Sequence, residues 1–513
     1  MALDRELDPH HPVREIARLV DEELNLDVLR RTYAGRGSRP HRPELLLKLV
    51  LYEHSQGQPQ PVQWMRDLEV NKAVQWLVYG MRPSQTTLYE FRDRVQPVLR
   101  DLNEQAIRTA IDEGHTDGSC GALDGTTVPA NATRHRMVNL ATVNKRLEIL
   151  DQEIAELEQA EELTPAIEPD ECALPVPPGT PPHGPTVATS NKPPSWKAKT
   201  KRGKKRQRDR YRRAQGALEA RIAANVRRRK DKRKEDAKIK VALGDPLAPF
   251  GLDKLKTFRP IYNVQIMSDV STDLVLGYAT TCTTADSGQL ISMIDLTNEM
   301  TGRPLKEVLA DSGYPSGEDL ASCKERGVVV YAPWNENTFT EEKRANGSNA
   351  SQLSKDQFVF DEAIPGYRCP EGKVLTYRER ASKQRADGEY FTIEIYQADP
   401  SDCAACPRKA GCVRGRSGAR TVRRQEHQEL VDELKERMKT PEAKELYGKR
   451  CCTVERRFAD AKTHRGLQRI SGQTPERADA QVGLTMLAHN LRTLAKLRIR
   501  VREHMRNPGE IAL

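Results

Sequence analysis

The sequence predicts an α/β protein with an all-α N-terminal domain, an inserted helical hairpin and an inserted strand-rich segment that carries cysteines. Three observations lead there. Residues 1–115 repeat apolar side chains at helical spacing. After Pro246 the period shortens to two, and strands then alternate with helices. Between these blocks lie a heptad seam, a proline-rich tract and a basic tract, which together read as one insertion.

In the first block Pro43 opens a compact apolar helix holding Leu45, Leu46, Leu47, Leu49, Val50 and Leu51. Pro61 opens a second, with Trp64, Leu68, Val74, Leu77 and Val78, which runs to Gly80. Ser84 is placed to cap a third, QTTLYEFRDRV. Thr86, Thr87, Tyr89 and Arg92 near its start suit a small DNA-reading helix-turn-helix, and equally a plain helical bundle.

GSCGALDGTTVP at 118–129 reads as a short strand with an Asp inside it. Leu140, Val143, Leu147, Leu150, Ile154 and Leu157 then recur at alternating steps of three and four, the spacing of a helical seam. Ten prolines fall within 164–195, a linker. The basic tract 197–240 follows as a second helix, so 140–240 reads as a hairpin inserted into another domain.

Tyr262, Val264 and Ile266 alternate, and LVLGYATT at 274–281 completes a β-hairpin. A helix at 287–301, a strand ending at Asp311, a helix at 316–326 and a strand at 328–334 follow. Residues 335–420 are polar and irregular, with strand character at 390–396. Residues 427–462 carry a long helical pattern, and Thr474-Pro475 starts a last helix striped with Ala480, Leu484, Leu487, Leu491 and Leu494. The expected domains are 1–115; a core from 116–139, 241–333 and 421–500; the hairpin 140–240; the insertion 334–420; and a tail at 501–513.

Composition narrows the function. The chain has 513 residues, 83 Lys+Arg and 73 Asp+Glu, a net charge of +10. Residues 197–240 alone hold 21 basic and 5 acidic side chains, so the remainder is mildly acidic. One basic element on an acidic body points to a polyanion such as nucleic acid. No run of apolar residues suits a membrane span or a secretory leader. Ten cysteines are too few for a disulfide scaffold and fit a reducing, cytoplasmic setting.

Three acids stand in distinctive surroundings: Asp124 in LDGTT, Asp311 in ADSGY and Glu455 in CCTVERRFADAK. Setting the two insertions aside leaves 86 residues between the first pair and 57 between the second, short enough for one compact core. Phosphoryl transfer by two metal ions uses such a set, because Mg²⁺ prefers carboxylate oxygen. Singly, an Asp before Gly also serves a turn, and a helical Glu among arginines a solvated ion pair. Tyr447, Cys451, Val454, Phe458 and Ala461 form an apolar stripe with Glu455 at its edge. Cys369, Cys403, Cys406 and Cys412 offer four thiols for a tetrahedral zinc site, with CxxC as one half; reduced thiols in a strand-rich insertion are the alternative.

These segments resemble the DDE transposases of bacterial insertion sequences. RPELLLKLVLYEHSQG through WLVYGMRPSQTTLYEFR is similar to their N-terminal helical domain. LDGTTVPANAT, LADSGY and VERRFADAKTHRGLQRISGQTPERADAQVGLTMLAHNLRTL are similar to the regions of the three acids. The resemblance implies a ribonuclease-H-like core and two Mg²⁺ or Mn²⁺ ions held by Asp124, Asp311 and Glu455. It implies cleavage and strand transfer at the ends of a mobile element and at target DNA, by a homodimer on the nucleoid. It also favours a structural role for the cysteines. The family signature Tyr-x2-Arg-x3-Glu-x6-Lys is met in part. Lys462 and Arg450 are both expected on DNA phosphates; Lys462 keeps its spacing to Glu455, whereas Arg450 has one residue too many before Glu455, which turns it around the helix. A catalytically inactive DNA-binding derivative and a purely hydrolytic nuclease are the alternatives.

Overall fold

Proline at a first helical position sacrifices no hydrogen bond, and Pro12, Pro43 and Pro61 each open a helix: α1 (Pro12–Glu23), α2 (Pro43–Ser55) and α3 (Pro61–Val70). The computed structural model describes residues 2–33, 41–162, 196–334, 353, 355–385, 388–413 and 418–506. The proline-rich linker at 164–195 and the end of the tail lie outside the described residues. α3 does not run on to Gly80 as expected. Asn71 adopts an extended conformation, and its side chain accepts from the amides of Ala73 and Val74, starting a separate α4 (Lys72–Leu77). Ser84 caps α5 (Gln85–Val95) as its sequence suggests, accepting from Thr87 N at 3.1 Å. With α6 (Leu99–Asp112) these helices close over a core containing Trp64, Phe91 and the leucines of α2. Arg92, expected among DNA-reading side chains, is only 3% exposed and bonds Asp93; Thr86 and Tyr89 face solvent.

The chain divides into two compact units, one of 1–131, 227–232 and 248–513, the other of 132–226 and 233–247. The second unit holds α7 (Leu140–Glu162) and α8 (Lys201–Arg227). Val143, Leu147 and Leu150 of the heptad seam bury against Tyr211, Ala214 and Leu218. Part of the basic tract is neutralised inside this hairpin: Lys204 meets Glu153 at 2.8 Å, Lys205 Glu158 at 2.5 Å and Arg212 Asp151 at 3.3 Å.

In the first unit β1 (Cys120–Pro129) pairs antiparallel with β3 (Phe258–Asp269), Asp124 opposite Ile266. β3 also pairs antiparallel with β2 (Phe250–Leu252) and with β4 (Val275–Thr281). After α9 (Leu290–Thr301) comes β5 (Glu307–Leu309), parallel to β1; after α10 (Gly317–Glu325) comes β6 (Val329–Tyr331), parallel to β5. The path β4–β3–β1–β5–β6 is thus a mixed sheet. Ten successive residues of β3 from Pro260 to Asp269 are buried, because both sheet faces are covered.

The insertion expected to be strand-rich, though irregular outside 390–396, is a second sheet of five strands among the described residues. β7 (Val359–Asp361), β8 (Gly366–Arg368), β9 (Val374–Gln384), β10 (Tyr390–Ala398) and β11 (Thr421–Gln425) pair antiparallel in that order. Its last strand extends past the expected boundary at 420. Phe360, Tyr367 and Tyr396 stack edge to face at its centre.

The long pattern at 427–462 is divided as well: α11 (Gln428–Arg437), α12 (Pro441–Arg450), a π turn at Cys451–Glu455, and α13 (Arg456–His464). Pro441 forces the first break by starting a new helix behind the Thr440 cap. α14 (Pro475–Arg506) follows. Ala480, Leu484, Leu487 and Leu491 face the helical bundle; Val482, Met486 and Leu494 face the sheet. The buried Asn490 pairs with the backbone of Val275 at the start of β4, donating to its carbonyl at 2.9 Å and accepting from its N–H at 2.8 Å. Among the described residues no helix is long and apolar enough to cross a membrane.

Candidate active site

The sheet pleat decides which way Asp124 points. Alternate residues of β1 face opposite sides, so Asp124 and Thr126 share one face and Gly125 takes the other. Arg450, at the end of α12, reaches Asp124: its Nη2 lies 2.9 Å from Oδ1. Its Nη1 donates to Glu455 Oε1 at 3.1 Å, and its Nε to Leu123 O at 3.4 Å. One buried guanidinium therefore gathers the first and third acids of the sequence reading.

The π turn makes this possible. Spacing alone turns Arg450 away from Glu455, since four residues lie between them where one helical face allows three. In a π turn hydrogen bonds close from i to i+5, and the surplus residue is absorbed. Arg450 returns to the face of Glu455, so the expected misalignment does not occur. Cys451 leaves the apolar stripe and is exposed, as is Cys452, while Val454, Phe458 and Ala461 stay buried.

Arg450 was expected to meet a DNA phosphate; instead it is 7% exposed and engaged by carboxylates. Lys462 stands on the same side. Its ammonium donates to Thr126 Oγ1 at 2.6 Å and to Thr127 O at 3.0 Å, and burial pulls it down to about 8. Burial pushes the Asp124 carboxyl above its usual range; Arg450 opposes this, and Asp286 and Glu455 reinforce it. Asp311 is exposed just past β5, and its carboxylate accepts from Ser312 N at 2.7 Å. Burial raises the neighbouring Tyr447 phenol, and the charges of Arg450, Asp311, Glu455 and Asp124 all act on it. Among the described residues no three His, Cys, Asp or Glu side chains are drawn into ligating geometry.

The other face of β1 holds residues the sequence reading passed over. Asp286 Oδ1 accepts from Asn263 Nδ2 and Gln265 Nε2, each at 2.8 Å, and the Tyr314 hydroxyl donates to Gln265 Oε1. A Cβ at position 125 would lie 2.2 Å from Asp286 Oδ1 and 2.4 Å from Gln265 Nε2. This is why glycine follows the first acid. The signal was available in YNVQIM, where Asn and Gln alternate with apolar residues in a strand buried on both faces.

Cys369, Cys403, Cys406 and Cys412 line one cavity beside the second sheet, with Phe358 and Arg420. Burial raises the Cys412 thiol, Arg420 opposes, and the other three sulfurs add to the rise. Thiolate is the donor type that Zn²⁺ prefers, but no three of these sulfurs are drawn into ligating geometry.

Two segments match known families: residues 1–94 match a transposase domain (DUF772), and residues 368–495 a transposase DDE domain. Both are transposase domains, and the second is a DDE domain. The second match spans the four cysteines, strands β9 to β11 and Glu455 and ends inside α14; Asp124 and Asp311 lie outside it. No curated protein and no solved structure matches the chain.

Proposed function

We propose that this transposase cuts DNA at the ends of its mobile element and joins the freed 3′ end to target DNA, using divalent cations at Asp124, Asp311 and Glu455. The observation that carries the reading is the gathering of Asp124 and Glu455 around Arg450. Two carboxylates held together by a fixed positive charge have the all-oxygen chemistry that suits Mg²⁺ or Mn²⁺. Such ions would activate the attacking oxygen and stabilise the leaving one. The path of three antiparallel strands followed by two parallel ones supports a ribonuclease-H-like core.

The chain's own groups supply positioning. The pleat of β1 holds Asp124, the Asp286–Gln265–Tyr314 network fixes that strand from beneath, and Lys462 places a positive charge beside Thr126. The basic helix α8 and the N-terminal helices would grip phosphates. Arg450 belongs to the carboxylates in this scheme. The four cysteines would hold a structural Zn²⁺, and a homodimer on the nucleoid would bring two element ends together.

The test is a Mg²⁺-dependent cleavage and joining assay on DNA carrying the ends that flank the gene, with Asp124→Asn and Glu455→Gln. Both reactions should occur and should vanish in either variant, with duplex affinity retained. Loss of affinity equal to the loss of cleavage would refute the active-site assignment. Cleavage without joining would make the protein a nuclease.

A further inference from the structure

A cavity of 370 Å³ lies against α13, α14 and the β3–β4 turn, and none of Asp124, Asp311 and Glu455 lines it. Six cations do: Arg456, Arg457, Arg465, Arg492, Lys496 and Arg500, against the carboxylates of Asp273 and Asp460. Those two acids are already shared out. Asp273 serves both Arg456 and Arg457, the latter at 3.4 Å, and Asp460 is 3.3 Å from Arg465. Among the described residues Arg492 has an ion pair with Glu15 alone, at 3.9 Å. Lys496 and Arg500 have no ion pair among the described residues.

Arg457 is the telling member. It is 8% exposed, and its Nε has no hydrogen-bond partner. Its Nη1 faces His489 Nδ1 at 3.1 Å, a group that burial and Arg457 itself keep neutral. A guanidinium buried with an idle donor calls for an anion. Arg492, Lys496 and Arg500 recur every four residues on α14, so like charges repel along that face. A helix rises about 6 Å over four residues, and a row of charges at that spacing suits a ligand with repeated negative groups better than a single free anion.

We infer that this cavity and the basic row leading from it bind consecutive phosphates of a DNA strand, as a second contact apart from the carboxylate site. Arginine forks clamp a phosphate through paired N–H donors. The inference rests on the DNA reading above and adds a place on the molecule.

The experiment measures affinity for a short labelled duplex across a salt series, for the full chain and for Lys496→Gln/Arg500→Gln. Both side chains are exposed and Gln keeps helical propensity; an unchanged thermal melt verifies the fold. Each phosphate contact contributes about 0.9 to the log–log slope. The double variant should lower the slope by about 1 to 2 and weaken binding several-fold, and Arg457→Lys should weaken it by removing the fork. An unchanged slope in a chain that still cuts DNA overturns this inference alone. Failure of the unaltered chain to bind any duplex overturns the DNA reading itself. Inorganic phosphate that raises the melting temperature only when Lys496 and Arg500 are present, with the DNA slope unmoved, overturns it in favour of a small-anion site.

Discussion

Arg450→Gln removes a guanidinium that holds Asp124 at 2.9 Å and Glu455 at 3.1 Å. The Asp124 side chain is 21% exposed and that of Glu455 49%, so the loss falls mainly on Asp124. Breaking a buried pair costs roughly 3–5 kcal/mol, and a half-exposed pair contributes at most about 1. A destabilisation of about 3 kcal/mol is expected in urea unfolding, with a coupling of about 2 kcal/mol to Asp124→Asn in a double-mutant cycle. The pH dependence follows. Asp124 already sits above its usual range, and losing Arg450 lifts it further. A raised carboxyl destabilises the fold once it ionises, so the penalty is full near neutrality and fades as pH falls through the folded-state value. Mn²⁺ should restore part of the loss by supplying the missing charge. A penalty below about 1 kcal/mol that is the same at mildly acid pH would refute the argument, because the two carboxylates would then be screened by water already.

Gly125→Ala should lower stability by about 1–3 kcal/mol, seen as an earlier melt, because its methyl group meets Asp286 and the fully buried Gln265. Glu53 is 1% exposed with Asp67 beside it, and burial pushes its carboxyl up to about 8. The unfolded chain gives up this proton near the ordinary carboxylate value, so stability should fall as pH rises from about 4 to about 8. Glu53→Gln should flatten that fall in a pH series of melts; an unchanged profile would place water at the site. Zinc should co-purify with the chain and be lost on Cys403→Ser/Cys406→Ser, measured by elemental analysis; retention would mean that other groups hold it.

The helices and core strands were legible because their burial is one-sided or continuous, which leaves period 3.6 or period 2 in the sequence. The second sheet was legible only as a strand-rich insertion with one strand at 390–396. β9 reads VLTYRERASKQ and is largely exposed, so cross-strand hydrogen bonding to β10 holds it, and that leaves no hydrophobic alternation. The break at Asn71 depends on one side chain capping two amides, where leucines and valines on both sides argued for continuity. At the site, Asp124 and Glu455 came from family likeness together with strand and helix placement. The partnership of Arg450 did not, because residue spacing was counted on an α-helix and the turn that matters is wider. Asp286 was missed because it lies in an irregular stretch between β4 and α9, where no period marks it.

α14 gives leucines to the bundle on one side and to the sheet on the other. It is also translated after every other described element. On the ribosome, both halves of this unit would therefore wait, each with an open apolar trough, until that helix emerges. Neither half is expected to be a stable fragment, and the unit should melt in one transition. The scaffold that brings Asp124, Arg450 and Glu455 together is finished only once synthesis has passed the last turns of α14.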